Sequence, residues 1–158
     1  ATEHPFIDVD RVGIWGHSGG GCATAAAMFR YPEFYKVGIS ESGNHDNRNY
    51  EDDWGERYIG LLEGDNYENQ ANQNFAANLQ GKLLLAHGGM DDNVPPYNTY
   101  LVVDALIKAN KDFDMIVFPN ARHGFGRDSD YMMRRRWDYF VEHLQGVQPP
   151  KEVKIQGR

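Results

Sequence analysis

Val12-Gly13-Ile14-Trp15-Gly16-His17-Ser18-Gly19-Gly20-Gly21 is the stretch that decides the fold. A short apolar run passing straight into clustered glycine suits a buried parallel strand with a tight exit. Ala23, Ala25, Ala26, Ala27, Met28 and Phe29 follow as helix formers and core residues, and the small alanines let that helix lie close to a sheet. Tyr31-Pro32 ends it. At the junction, Gly16-His17-Ser18-Gly19-Gly20 matches G-x-S-x-G, the pattern of a serine turned sharply out of a sheet. Only glycine at the flanking positions lets strand and helix come that close, while the serine itself takes a strained conformation. The new helix aims its first amides at the serine, which makes Gly19 N–H a candidate donor to an oxyanion. A phosphate-cradling loop does not fit, since the P-loop lysine and the order Gly-x-Gly-x-x-Gly are both missing.

Outward from that stretch, strands and helices alternate. Val37 to Ser40 reads as a second strand, followed by a polar, turn-rich loop from Glu41 to Asp53. Lys82 to His87, with three consecutive leucines, gives a third strand, and Phe113 to Phe118 a fourth. Val102, Ala105, Leu106 and Ala109 recur at helical spacing between those two, as do Met133, Trp137, Phe140, Val141 and Leu144 after the last. The alternation predicts an α/β fold with a mostly parallel sheet covered by helices on both faces. One domain is expected over residues 1–147, with a polar tail at 148–158.

A serine hydroxyl is a weak nucleophile until a base takes its proton, and the base needs an acid to hold its tautomer. In α/β-hydrolases these partners follow in the order Ser, Asp or Glu, His, each on a loop at the carboxyl end of a later strand. The third strand runs into His87-Gly88-Gly89-Met90-Asp91-Asp92-Asn93, and the fourth into Pro119-Asn120-Ala121-Arg122-His123-Gly124. His123 is therefore the candidate base, and Asp91 or Asp92 the acid. His143 falls in the last amphipathic helix, while His4, His17, His45 and His87 precede the acid and break the order. A metal site drawn from His45, Asp46, His87 and the aspartates lacks a recognised zinc spacing. The chemistry calls for no metal or organic cofactor.

The 158 residues carry a net charge of -7, which disfavours nonspecific nucleic-acid binding. The basic run Arg134 to Arg136 lies in a helical pattern and reads as a solvated face. One cysteine, Cys22, precludes an intrachain disulfide framework, and no stretch approaches the roughly twenty apolar residues of a membrane span. The opening, Ala1-Thr2-Glu3-His4-Pro5, lacks an initiator Met and reads as a piece cut from a longer chain.

From Asp8 to about Leu144 the sequence resembles the dipeptidyl peptidase IV-like branch of the prolyl oligopeptidase serine peptidases. The resemblance is carried by Asp10-Arg11-Val12-Gly13-Ile14-Trp15-Gly16, the serine motif, Glu56-Arg57-Tyr58-Ile59-Gly60-Leu61, His87-Gly88 with Asp91-Asp92-Asn93-Val94, and Arg122-His123-Gly124. It implies the C-terminal half of an α/β-hydrolase domain and selects Asp91 as the acid. It further implies that Asn93 holds a substrate backbone carbonyl, and that Val94, Tyr50 and Trp54 line the pocket for the residue before the scissile bond. Family members remove dipeptides, sometimes tripeptides, from free peptide N termini, and the resemblance points to a periplasmic or extracellular setting.

The chain departs from the family's usual Gly-Trp-Ser-Tyr-Gly-Gly, with His17 and Gly19 at the two aromatic positions. Asn44 and Asn47 stand where apolar or aromatic residues are usual, so a roomier, more polar pocket is expected. The resemblance also implies elements upstream of Ala1: a tyrosine donor to the oxyanion, a propeller domain that binds the substrate's amino terminus, and the first strands of the sheet. Without those strands, Val12 to Trp15 is expected to form an apolar edge through which the chain associates with itself or loses stability. The alternatives to a peptidase are an esterase or other acyl hydrolase of the same fold, and a structural half that catalyses nothing.

Overall fold

The computed structural model describes residues 3–155. Four strands, β1 (Gly13–His17), β2 (Val37–Glu41), β3 (Lys82–Gly88) and β4 (Asp114–Phe118), form one sheet in the order β1-β2-β3-β4. Every neighbouring pair is parallel, with Trp15 opposite Ile39, Ile39 opposite Leu84, and Ala86 opposite Ile116. Helices α1 (Gly19–Arg30), α2 (Asp52–Ile59), α3 (Tyr97–Lys108) and α4 (Ser129–Gln145) lie between and after the strands.

The strand period of two divides the apolar residues of β3 between two cores. Leu83 and Leu85 pack with Ala25, Met28 and Phe29 of α1 and with Val102 and Leu106 of α3. Leu84 and Ala86 point the other way, to Ile39, Phe118, and Met132 and Tyr139 of α4. Helices thus cover both faces, and the central strands β2 and β3 are buried almost throughout. Burying one such leucine stabilises the fold by about 2 kcal/mol, so the sheet centre is the firmest part of the molecule.

Two local expectations change. The segment 41–53 is not a plain loop: Glu41 belongs to β2, a 3-10 turn covers Asn47–Asn49, and α2 begins at Asp52. Asp52 and Asp53 in its first turn favour that helix by facing the positive end of its dipole. The arginine run is also more than a solvated face. Arg136 places its fork on both carboxylate oxygens of buried Glu41, at 2.9 and 3.0 Å, and its guanidinium carbon lies 3.6 Å from the ring centre of Trp15. Arg134 pairs with Asp138 one turn along α4. The outer face of β1 is accordingly half covered by a cation, with Trp15 50% exposed.

Candidate active site

Ser18 sits between β1 and α1 with φ 59° and ψ -123°, a conformation that costs an L-residue about 1–3 kcal/mol. Backbone contacts hold it there. Ser18 N donates to Glu41 O at 2.8 Å, and a Cβ on Gly16 would lie 2.3 Å from Gly20 O. Glycine at 16 is therefore a steric requirement of the turn. As the first residue of α1, Gly19 carries an amide with no partner inside the helix.

Behind this turn lies a buried polar support. His45 is fully buried; Asn72 Nδ2 donates to its Nδ1 at 3.0 Å, and its Nε2 is 3.5 Å from Ser40 Oγ. Ser40 Oγ in turn donates to Gly21 O at 2.8 Å. Burial lowers the His45 pKa to about 3, so the ring is neutral at ordinary pH.

The loops after β3 and β4 are bonded to each other along their backbones. Gly89 N donates to Phe118 O at 2.8 Å and Met90 N to Ala121 O at 3.0 Å. A Cβ on Gly88 would stand 2.4 Å from Arg122 O, so the glycine after His87 is what allows the two loops to touch. This brings His123 Nδ1 to 2.8 Å from Asp91 Oδ2. Asp91 Oδ1 accepts from the amides of Asn93 at 3.0 Å and Val94 at 2.9 Å. Asp92, by contrast, is exposed and pairs with Arg122. Of the two aspartates left open by the residue pattern, the geometry joins Asp91 to the imidazole.

Among the described residues, no hydrogen bond joins Ser18 Oγ to His123, whose Nδ1 faces Asp91. The His123 ring instead meets His17, centroid to centroid at 4.6 Å. His17 also lies 3.9 Å from Glu41 Oε2, and burial followed by the His123 charge pushes its pKa down. Sequence order alone had set His17 aside; its place beside Ser18 in the motif was the available signal.

The residues expected to line the pocket fall into three sets. Tyr50 OH donates to Asn93 Oδ1 at 2.7 Å, and the rings of Tyr50, Trp54 and Tyr58 form a continuous aromatic row at 6.1 and 4.5 Å. Trp54 leans over the turn: a Cβ on Gly19 would fall 2.9 Å from its Cζ2. The Trp54 ring of α2 thus takes the space that a side chain at position 19 would need. Asn44 Nδ2 donates to Asn47 Oδ1 at 2.7 Å, while buried Asn44 Oδ1 has no partner among the described residues. Val94 has no exposed surface; its backbone holds the Asp91 loop through N–H and the His87 ring through C=O. Among the described residues no group of three or more His, Cys, Asp or Glu could hold a metal, and no helix is long and apolar enough to cross a membrane.

A parallel sheet whose strand ends carry a strained serine, an aspartate and a histidine in that order defines an α/β-hydrolase. The Pyrococcus horikoshii acylaminoacyl peptidase shares this fold, with a TM-score of 0.80 at 23% identity, over 97% of this chain and 27% of that one. Residues 1–147 match the prolyl oligopeptidase family, and the chain belongs to it. Porphyromonas gingivalis dipeptidyl peptidase 4 is similar at 33% identity and a TM-score of 0.82, covering 89% of this chain and 20% of that chain. A probable dipeptidyl-aminopeptidase B of Arthroderma gypseum is 32% identical over 149 residues, which is 90% of this chain and 16% of that protein. The chain therefore spans about a sixth to a fifth of the length of these relatives.

Proposed function

We propose that this chain carries the catalytic residues of a serine peptidase that removes dipeptides from peptide N termini, with Ser18 as nucleophile, His123 as base and Asp91 as acid. The observation that carries this reading is the 2.8 Å contact of His123 Nδ1 with Asp91 Oδ2, on loops bonded together at the strand ends beside a strained Ser18. Asp91 holds the hydrogen on Nδ1 and leaves Nε2 free to take the Ser18 proton. Ser18 Oγ then attacks the carbonyl, and Gly19 N–H donates to the oxygen as it becomes negative. His123 returns the proton to the leaving amine, and water reverses the sequence to release the acyl group.

Substrate binding follows from the same surface. With Asn93 Oδ1 taken by Tyr50, the Asn93 amide hydrogens remain for a substrate carbonyl. Trp54 and Tyr50 wall the pocket for the residue before the cut, and Asn44 and Asn47 give it a polar side, which favours small or polar residues as well as proline. Residues 1–147 are assigned to a catalytic domain completed by upstream strands and a propeller, with 148–158 as a tail.

The test uses the full-length protein. Ser18→Ala should lower dipeptide release from chromogenic N-terminal dipeptidyl amides by about 10⁶-fold, and retained turnover would overturn the assignment. Hydrolysis of simple esters with no dipeptidyl-amide turnover would assign an esterase instead. A fluorophosphonate probe on residues 1–158 reports whether the triad forms without the upstream segments: labelling at Ser18 means that it does.

A further inference from the structure

His87 is a buried imidazole at the end of β3 that the proposed chemistry leaves unused, yet both its nitrogens are bound. Nδ1 faces Thr99 Oγ1 of α3 at 2.7 Å. Nε2 lies 3.0 Å from Val94 O and 3.2 Å from Asp91 Oδ2. A carbonyl only accepts, so Nε2 must carry the hydrogen, and Nδ1 must accept from the Thr99 hydroxyl. Burial holds the pKa of this ring below its ordinary value, opposed by the bonds to Val94 and Asp91. A neutral ring with a fixed tautomer is the result.

We propose that His87 is a positioning residue for the Asp91–His123 pair. The inference rests on the reading of those two as acid and base. Its Nε2–H is shared between Val94 O and Asp91 Oδ2, the same oxygen that faces His123 Nδ1. The Asp91 carboxylate therefore receives four hydrogens, two amides on Oδ1 and two imidazole N–H groups on Oδ2. The amides alone fix Oδ1; His87, with His123, fixes Oδ2. With the other tautomer, a ring lone pair would face both Val94 O and Asp91 Oδ2, and the carboxylate would turn away from His123. Thr99 prevents this by supplying the proton that Nδ1 needs. The role resembles that of groups which orient metal ligands from behind, whose loss costs about 10- to 100-fold.

A bond that merely clasped Val94 O to close the loop would look similar, so the test separates the two. In the full-length protein, His87→Gln keeps an N–H donor near the position of Nε2, whereas His87→Leu removes it. His87→Leu should lower kcat by about 100-fold with KM within about twofold, and His87→Gln should restore kcat to within about tenfold of the parent. In an Asp91→Asn background, where Oδ2 is no longer a carboxylate oxygen, His87→Leu should have little further effect on residual kcat. The proposal is overturned if His87→Leu keeps the parent kcat, if both substitutions fall alike in step with a lost thermal transition, or if the loss is undiminished beside Asp91→Asn. Failure of the underlying reading shows separately: Asp91→Asn and His123→Ala would then themselves retain full turnover.

Discussion

The loops after β3 and β4 and the long segment after β2 leave the same carboxyl end of the sheet but are held by different forces. The first pair is bonded backbone to backbone, closed by the contact at Gly88, and has every oxygen of Asp91 occupied. The second, from Asn44 to Gln80, is built from short 3-10 turns and α2, whose buried residue is Gly55. One main-chain bond, Asn72 N to His45 O, closes its base and Ala76 and Leu79 anchor its end in the core, but side chains hold the part nearest the serine: Arg48 to Asp46 and Glu68, Gln73 to Asp46, Tyr50 to Asn93. Tyr58, Leu61 and Leu62 remain exposed. Main-chain bonds survive most substitutions that spare Gly88, whereas side-chain bonds are lost one residue at a time. The loops of the proposed chemistry thus tolerate more change around their key residues than the pocket segment does.

Four substitutions or conditions test this contrast, from the largest effect to the smallest. Asp91→Asn in the full-length protein should lower kcat/KM for dipeptidyl amides by about 10⁴-fold, while Asp92→Asn stays within about twofold of the parent. Equal losses would dissolve the distinction between the two aspartates. Arg136→Ala strands the buried Glu41 carboxylate, whose pKa burial already pushes up against the pull of Arg136. It should reduce unfolding free energy by about 3 kcal/mol in a denaturant titration, and a drop below about 1 kcal/mol would deny the pair its structural role.

Acidification should act next. His45 is neutral in the fold, with a pKa lowered from 6.5 to about 3, so the unfolded chain binds the extra proton. Stability is then full above pH 6.5 and falls by about 1 kcal/mol per pH unit as pH drops from there towards 3. His45→Gln should flatten that slope in melts between pH 7 and 5. Last, Gly19→Ala should raise KM about tenfold by displacing Trp54, and Trp54→Phe should restore part of the loss. An unchanged KM in Gly19→Ala would place Trp54 outside the pocket.

Much of the scaffold was legible in the sequence because buried parallel strands are continuous apolar runs, as in Leu83 to Leu85, and because glycine marks the turn at Ser18. The Asp91–His123 contact was anticipated by chain order and resemblance. What escaped the sequence depends on distance in space. Helical periodicity places Arg136 on a polar face but does not show that β2 brings Glu41 beneath it. The α2 helix has only 8 residues with Gly55 among them, so its single Trp54–Tyr58 repeat is too short to mark a helix in the sequence. The bonds of His87 become visible only when the loop returns Val94 O to the ring. Val94, which the resemblance makes a wall of the pocket, is buried by that same closure.

The position of β2 has a consequence for how such an enzyme can be retargeted. Its strand lies between those that deliver Ser18 and Asp91, and its exit leads only into the pocket segment. Residues 44–80 therefore behave as a cassette that an engineer could exchange while the reactive groups stay in register. Three sets of contacts must survive the exchange. Asn98 of α3 accepts from Asp46 N and donates to Asn49 O, Tyr50 reaches Asn93, and His45 and Asn72 back the serine turn while Ala76 and Leu79 fill the core beneath α1 and α3. A graft that keeps all three should change which peptides are accepted before it changes how they are cut.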